Sequence, residues 1–313
     1  MPKVRLDIAA LYQPTVLLAM ALMAVIVMMI LPMPAFVLDL GLAASFAIAI
    51  LIFTVTLFIN RPLDFSSFPS VLLFATLLRL ALNVASTRVV LVHGHEGGAA
   101  AGHVIESFAA FLVGGNFVVG LFVFAILMII NMIVITKGAG RVSEVSARFV
   151  LDALPGKQMA IDADIAAGLI TADEARERRR EVTVEADFYG SMDGASKFVK
   201  GDAMAALLIL GVNIVAGFAI GMISHELSAS EAGEAYVTLA VGDALVAQVP
   251  ALLLSIGAAI LVTRSADDSG LSSQLGRQVA SASAWWPTAG VLGAMALVPG
   301  LPTLLLAPAA GLA

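Results

Sequence analysis

The stretch FAAFLVGGNFVVGLFVFAILMIINMIVIT, residues 108–136, decides the fold, because it contains no Asp, Glu, Lys, Arg or His. An α-helix crosses a ~30 Å hydrocarbon layer with about 20 apolar residues, so this run has the length and composition of a membrane span. Similar runs lie on both sides of it, at 16–31, 36–59 and 68–92 before it and at 203–223, 236–262 and 280–298 after it. An eighth, 301–313, is still apolar at the last residue. The whole chain agrees with its parts. Hydrophobic residues make up 60% and charged residues 13%, where a soluble domain carries about 25% charged residues to cover its outside. The mean hydropathy is +0.99. The expected fold class is therefore all-α, a polytopic helical membrane protein with about eight transmembrane helices.

Three segments follow from this span list: helices one to four in 1–136, a small cytoplasmic insert in 137–201, and helices five to eight in 202–313. Lys3 and Arg5 precede the first apolar run, which lacks a small-x-small cleavage pattern and leads straight into more apolar sequence, so it reads as a retained helix. Lysine and arginine placement sets the orientation. With the N-terminus cytoplasmic, one face carries Lys3, Arg5 and Arg61, ten basic residues between Lys137 and Lys200, then Arg264 and Arg277. The other two basic residues, Arg79 and Arg88, fall inside the third span, and the outer loops carry His93, His95, Glu96, His103, Glu106, His225, Glu226, Glu231 and Glu234. Within the insert, Thr171 before Ala172-Asp173-Glu174 reads as a helix N-cap, with Arg176, Arg178, Arg179 and Arg180 further along. Gly190 to Gly194 reads as a turn before the chain re-enters the membrane.

Ionisable groups inside the membrane are costly, about 2.5–3.5 kcal/mol on insertion scales, so each must face protein or water. Arg79 lies near the middle of the third span, with Arg88 nearer the outer surface and Asn83 and Thr87 between them. These groups either lock helices together by hydrogen bonds or form the charged lining of an ion path. Asp243, flanked by Gly242 and followed by Gln248 and Pro250, is the clearest acid within a span. Proline at that depth frees a backbone carbonyl, and carboxylate, amide and carbonyl together can bind or relay a cation. A structural salt bridge from Asp243 to Arg79 or Arg88 is the competing role. Asp202, beside Lys197 and Lys200 at the mouth of the fifth span, suits either a helix cap or a proton acceptor. Asp39 sits at the outer end of the second span. Gly114-Gly115-Asn116 leaves room for a break in the fourth, where Asn131 adds a polar group. His93, His95 and His103 follow no ligand spacing, so no metal is expected. The sequence has no GxxxxGK[ST] phosphate loop and no GxSxG elbow, and it has no cysteine. The net charge of −6 argues against a nucleic-acid partner. A cofactor-free chain that is not an enzyme is the expectation. An ion-coupled transporter of a small solute and an oligomeric scaffold with purely structural charges remain open beside a gradient-powered exporter.

The run RVSEVSARFVLDALPGKQMAIDAD, residues 141–164, resembles the signature of the FlhA/InvA/LcrD (FHIPEP) family of export-gate proteins. It includes Arg141, Glu144, Arg148, Asp152, Pro155, Gly156, Lys157 and Asp162. A second block, ADFYGSMDGASKFVKGD at 186–202, resembles the family's return to the membrane. Phe68-Pro69, LRLALNVASTR at 78–88 and GDALVAQVP at 242–250 are further matches. The wording around Thr136–Arg141 and Asp187-Phe188-Tyr189 is more similar to the flagellar branch than to the virulence branch. The resemblance implies a component of the flagellar type III protein export gate in the bacterial inner membrane, at the basal body. It implies a homo-oligomeric ring of about nine subunits, in line with the closed symmetry common among oligomers. The implied partners are other gate proteins, a cytosolic ATPase complex and the exported flagellar proteins, and the implied task is coupling proton motive force to translocation of unfolded subunits. By matching motif, Asp202 resembles the family's acid for proton coupling, Arg88 and Lys197 its charged partners, and Asp39 and Asp243 its other membrane acids. The signature segment resembles the part that moulds the insert. Family members continue past the eighth span into a large cytosolic domain that receives cargo, and this sequence ends at Ala313 without it.

Overall fold

A computed structural model describes residues 13–113, 117–264 and 282–296, with 308 and 311 as isolated positions. Among the described residues every regular element is helical. Helix α1 is Pro14–Ile30 and α2 is Ala35–Phe58. A single 3-10 turn, Pro62–Phe65, leads to α3, Phe68–His93, whose Pro69 occupies the first turn, where a missing N–H costs nothing. Two more 3-10 turns precede α4, His103–Val113. Helix α5, Phe117–Ile129, runs through a π-helical segment, Ile130–Thr136, into α6, Lys137–Ala166. Helix α7, Ala172–Ser224, is followed by the one-turn α8, Ala229–Ala232, a π segment, Gly233–Val237, and α9, Thr238–Thr263. Helix α10 is Ala282–Ala296.

Five helical stretches are long and apolar enough to cross a membrane: Ala35–Phe58, Phe68–Glu96, Val118–Ala166, Ala172–Ser224 and Ala229–Thr263. The remaining expected spans differ. The first is the shorter apolar helix α1, the seventh is the 15-residue α10, and the eighth lies outside the described residues. Of the span expected at 108–136, α4 covers the part up to Val113 and α5 begins at Phe117, and the expected break at 114–116 lies outside the described residues.

The chain separates into two compact units, one of Met1–Leu57 with Pro62–Arg264 and one of Phe58–Arg61 with Ser265–Ala313. In the second, α10 is an apolar helix with Trp286 exposed. In the first, α3 and α9 are central: 56% of their most apolar window is buried, against 22–28% for the other three spans. Leu42 of α2, Leu82 and Val90 of α3, Ile105 of α4, and Leu239 and Val246 of α9 form one apolar core. Phe124 and Met128 of α5 pack with Leu210 of α7 and Val241 of α9 in another. Gly242 lets α4 come against α9, because a Cβ there would stand 2.6 Å from that of Ala109. Phe122, Ile126, Val134, Leu208, Val215 and Ile223 face outward. Water would oppose such a surface, and lipid tails accept it.

The 137–201 segment departs from the expectation of a small domain closed by a turn. Helices α6 and α7 continue the two spans beyond the apolar zone as an antiparallel hairpin. Its tip turns through Gly168, at φ +70. The expected N-cap forms: Thr171 Oγ1 accepts from the Glu174 N–H at 3.2 Å, and the Glu174 carboxylate accepts from the Thr171 N–H at 2.7 Å. The turn expected at Gly190–Gly194 is absent, and α7 passes through it as helix. Neither glycine there adopts positive φ, and a helical glycine costs only about 1 kcal/mol, which contact with α6 offsets. Asp202 therefore lies deep inside a 53-residue helix and caps no N-terminus.

Candidate functional site

The spacing of polar residues on α3 places Arg79 and Asn83 one turn apart on the stripe facing α7 and α9. Opposite, α7 carries Asp202. The two meet as an ion pair between Arg79 Nη2 and Asp202 Oδ2, with side-chain exposures of 4% and 1%. Around them Asn131 from the π segment and Gln248 from α9 complete a cavity of about 20 Å³, also walled by Met128, Ala206 and Ala251. Arg79 Nη1 and Asn131 Oδ1 are buried there without a protein hydrogen-bond partner. Such a volume, bordered by several polar groups, holds a single water molecule. Pro250 of α9, next to the cavity-lining Ala251, has no N–H to give its helix. The π segment that carries Asn131 is a local widening of the kind that frees backbone groups, and such bulges gather at functional sites.

The other residues expected to act with Asp202 sit elsewhere. Lys197 does not reach it: its Nζ donates to Asp193 at 2.7 Å on the exposed side of α7, and Lys200 is exposed. Asp243 is buried on α9, and it joins neither Arg79, which pairs with Asp202, nor Arg88, which bonds the Ile30 carbonyl. Arg88 donates to the Ile30 carbonyl at 3.2 Å, closing the C-terminal end of α1. Asp39 accepts the N–H groups of His103 and Val104, both at 3.0 Å, so it caps α4 from a neighbouring helix. Gly102 makes this possible. It has φ +105, and a Cβ on it would lie 2.5 Å from Asp39 Oδ1. Of the six residues expected to couple ions, the structure brings together Arg79 and Asp202.

Sequence reasoning passed over Asn213, buried on α7, whose amide donates to Thr87 at 3.3 Å. Its signal was an amide inside an apolar run. It also passed over Thr136, Ser143, Ser196 and Ser255, which ordinary helical Ser and Thr usage hides. His103 stands 3.4 Å from Glu106, and the His95 ring stacks on His225 at 3.6 Å. Among the described residues no three His, Asp or Glu side chains converge as a metal site would require.

The signature residues all lie on α6 and shape the hairpin. Arg141 pairs with Glu144 at 3.1 Å, Arg148 with Asp152 at 3.7 Å, and Lys157 with Glu185 of α7 at 2.5 Å, while Asp162 pairs with Arg179. Arg178 pairs with Asp164 at 3.0 Å. Pro155 is inside the helix and Gly156 borders open space. Seven of the hairpin's ten basic residues are thus paired with acids along both of its arms.

The FHIPEP family model matches residues 25–313. The chain belongs to the FHIPEP family. It is 56% identical over 285 residues to the flagellar biosynthesis protein FlhA of Escherichia coli K12, covering 91% of this chain and 41% of that protein. Identity is 55% to the flagellar biosynthesis protein FlhA of Salmonella typhimurium LT2, with the same coverage. It is 54% to a putative flagellar export/assembly protein, LfhA, of Escherichia coli O44:H18, over 91% of this chain and 41% of that one. These likenesses place the chain in the FlhA branch, as the N-terminal membrane part. The chain spans about two fifths of the length of the curated relatives it matches. No solved structure matches it.

Proposed function

We propose that this chain is the membrane part of a flagellar protein-export gate in the bacterial inner membrane, and that Asp202 is the group whose protonation couples proton motive force to export. The observation that carries the reading is the Arg79–Asp202 pair, closed off from solvent between α3 and α7 beside a water-sized polar cavity. With Asp202 ionised, the pair's charges cancel. Proton uptake by Asp202 leaves Arg79 as a lone cation in a site with almost no water. The helices then reposition to rehydrate Arg79 or to give it another acceptor, such as Asn131 Oδ1. One charge crossing 100 mV yields about 2.3 kcal/mol, so successive protonations move the α6–α7 hairpin, which is continuous with α7, in small steps. The names of the relatives support the flagellar assignment. The ring of subunits, the other gate proteins, the ATPase complex and the flagellar cargo come with it as partners. The N-terminus is cytoplasmic, which puts the hairpin on the side where cargo arrives.

A transporter of organic solutes fits less well, because the cavity beside the charged pair has room for a water and not for a solute. The test replaces Asp202 with Asn in the full-length protein and measures flagellin export and swimming. At wild-type membrane abundance, Asp202→Asn is expected to abolish both. Cells that swim normally with it would end the coupling role.

A further inference from the structure

Among the described residues most helical hydroxyls are satisfied locally, and the buried exceptions are Thr136, Thr238 and Ser255. Thr56, Thr76, Ser107, Thr183 and Thr263 each donate to a carbonyl three or four residues back on their own helix, the usual recourse of a hydroxyl without another partner. Thr136 and Ser255 do not. Each residue is 3% exposed, and neither hydroxyl has a hydrogen-bond partner in the protein. Both face a cavity of about 10 Å³ between α3, the π segment, α6, α7 and α9. Ser196, whose hydroxyl donates to Ser143 at 2.9 Å, stands on the same wall. The remaining lining is Leu72, Val199 and small residues. Oxygen atoms without charge, in a volume of this size, make a site for water and offer too little for a metal ion or an organic ligand.

This cavity is separate from the one beside Asp202 but lies in register with it along the same helices. On α7, Ser196 and Val199 line the first cavity and Ala203 and Ala206 the second, positions that form one stripe at helical spacing. On α9, Ser255 and Ala258 follow Ala244, Gln248 and Ala251 on one stripe, and on α3 Leu72 lies below Arg79 and Asn83. The π segment contributes Asn131 and Met132 to the upper cavity and Thr136 to the lower. The two cavities are stacked roughly two turns apart, about 10 Å, on the same faces of the same helices. The lower one lies toward the α6–α7 hairpin, since Lys137 follows Thr136 directly and Lys197 follows Ser196.

We infer that Thr136, Ser196 and Ser255 form a hydrated relay that carries protons between Asp202 and the hairpin end of the bundle. The inference rests on the proton-coupled reading of Asp202. Each hydroxyl or water in the relay accepts a proton on one lone pair as it releases its own to the next oxygen, so no oxygen retains charge and the proton count is conserved. Thr136 and Ser255 suit such a chain because neither hydroxyl is held by its own helix, and Ser196 already passes its hydrogen bond across helices to Ser143.

The experiment compares Thr136→Val, Thr136→Ser and the double variant Thr136→Val/Ser255→Ala in the full-length protein, reading flagellin export rate at matched membrane abundance. Valine keeps the shape of threonine and removes a hydroxyl that bonds nothing in the protein, so a purely structural role predicts wild-type export or a more stable protein. The relay predicts at least a tenfold fall in export for Thr136→Val, a larger fall for the double variant, and near-normal export for Thr136→Ser. Wild-type export in Thr136→Val and in the double variant, with Asp202→Asn inactive, would overturn the relay and leave Asp202 as the acceptor. Equal loss in Thr136→Val and Thr136→Ser would assign the effect to packing and overturn it too. Normal export in Asp202→Asn would remove the reading beneath it.

Discussion

Helix α7 carries two acid–base pairs less than two turns apart, and they stand in opposite surroundings. Asp193–Lys197 bridges one turn of the helix, with side-chain exposures of 24% and 65%. Asp202–Arg79 joins two helices, with both groups almost fully enclosed. By sequence alone Lys197 is the natural partner of Asp202, because it is near in the chain and opposite in charge. The helix forbids it. Five residues apart, their side chains point to different faces, one toward water and the other toward α3. What separates the two pairs is therefore solvent access rather than charge, and solvent access sets how much each pair matters. Exposed pairs contribute about 0–1 kcal/mol. Removing one partner of an enclosed pair costs about 3–5 kcal/mol, because the other charge is left without compensation.

The largest expected effect follows from that contrast. Arg79→Met should destabilise the protein by about 3–5 kcal/mol, read as a lowered thermal unfolding midpoint in detergent. Arg79→Met/Asp202→Leu, which removes both charges, should regain most of the loss while remaining inactive in export. If the single variant is no less stable than Lys197→Ala, the pair is not dry and the contrast breaks.

An intermediate effect belongs to the opposite end of the bundle, where Asp39 holds the start of α4. Gly102→Ala forces a side chain into a conformation open almost only to glycine and against the Asp39 carboxylate. A cost of about 1–3 kcal/mol is expected. Asp39→Asn should cost less, because an amide oxygen still caps. Were Asp39→Asn to abolish export at unchanged stability, Asp39 would belong with Asp202 as an ion-coupling acid rather than with the caps.

Much of this was legible in the chain. Spans could be read from hydropathy because lipid offers no partner to an exposed backbone, so helices are compulsory where the apolar run is long. The capping box at Thr171 was legible because its two hydrogen bonds are local. Pairings across the bundle were not. Asp202 meets a residue of α3 more than a hundred positions away, and only the packing of three helices decides which stripe faces which. The glycines at 190 and 194 misled for a related reason, since a local breaker signal gives way when a neighbouring helix supports the continuous one. Thr136 and Ser255 were invisible because nothing in a sequence tells a hydroxyl bonded to its own helix from one that is not.

The smallest expected effect sharpens the comparison most. Lys197→Ala removes a cation that the family resemblance casts as a partner of Asp202, yet in this structure it serves Asp193. Its stability cost should be about 1 kcal/mol or less, and should shrink further in 1 M salt, where the Debye length falls to about 3 Å. The Arg79→Met deficit should hold at the same salt, because ions do not reach an enclosed pair. If Lys197→Ala nevertheless stops export at normal stability, its task lies outside the resting fold. Rotation of α7 after Asp202 takes up a proton would then have to bring Lys197 to a new partner. Lys197→Arg would separate the two cases, since it preserves the charge for a moving contact while changing the 2.7 Å geometry to Asp193.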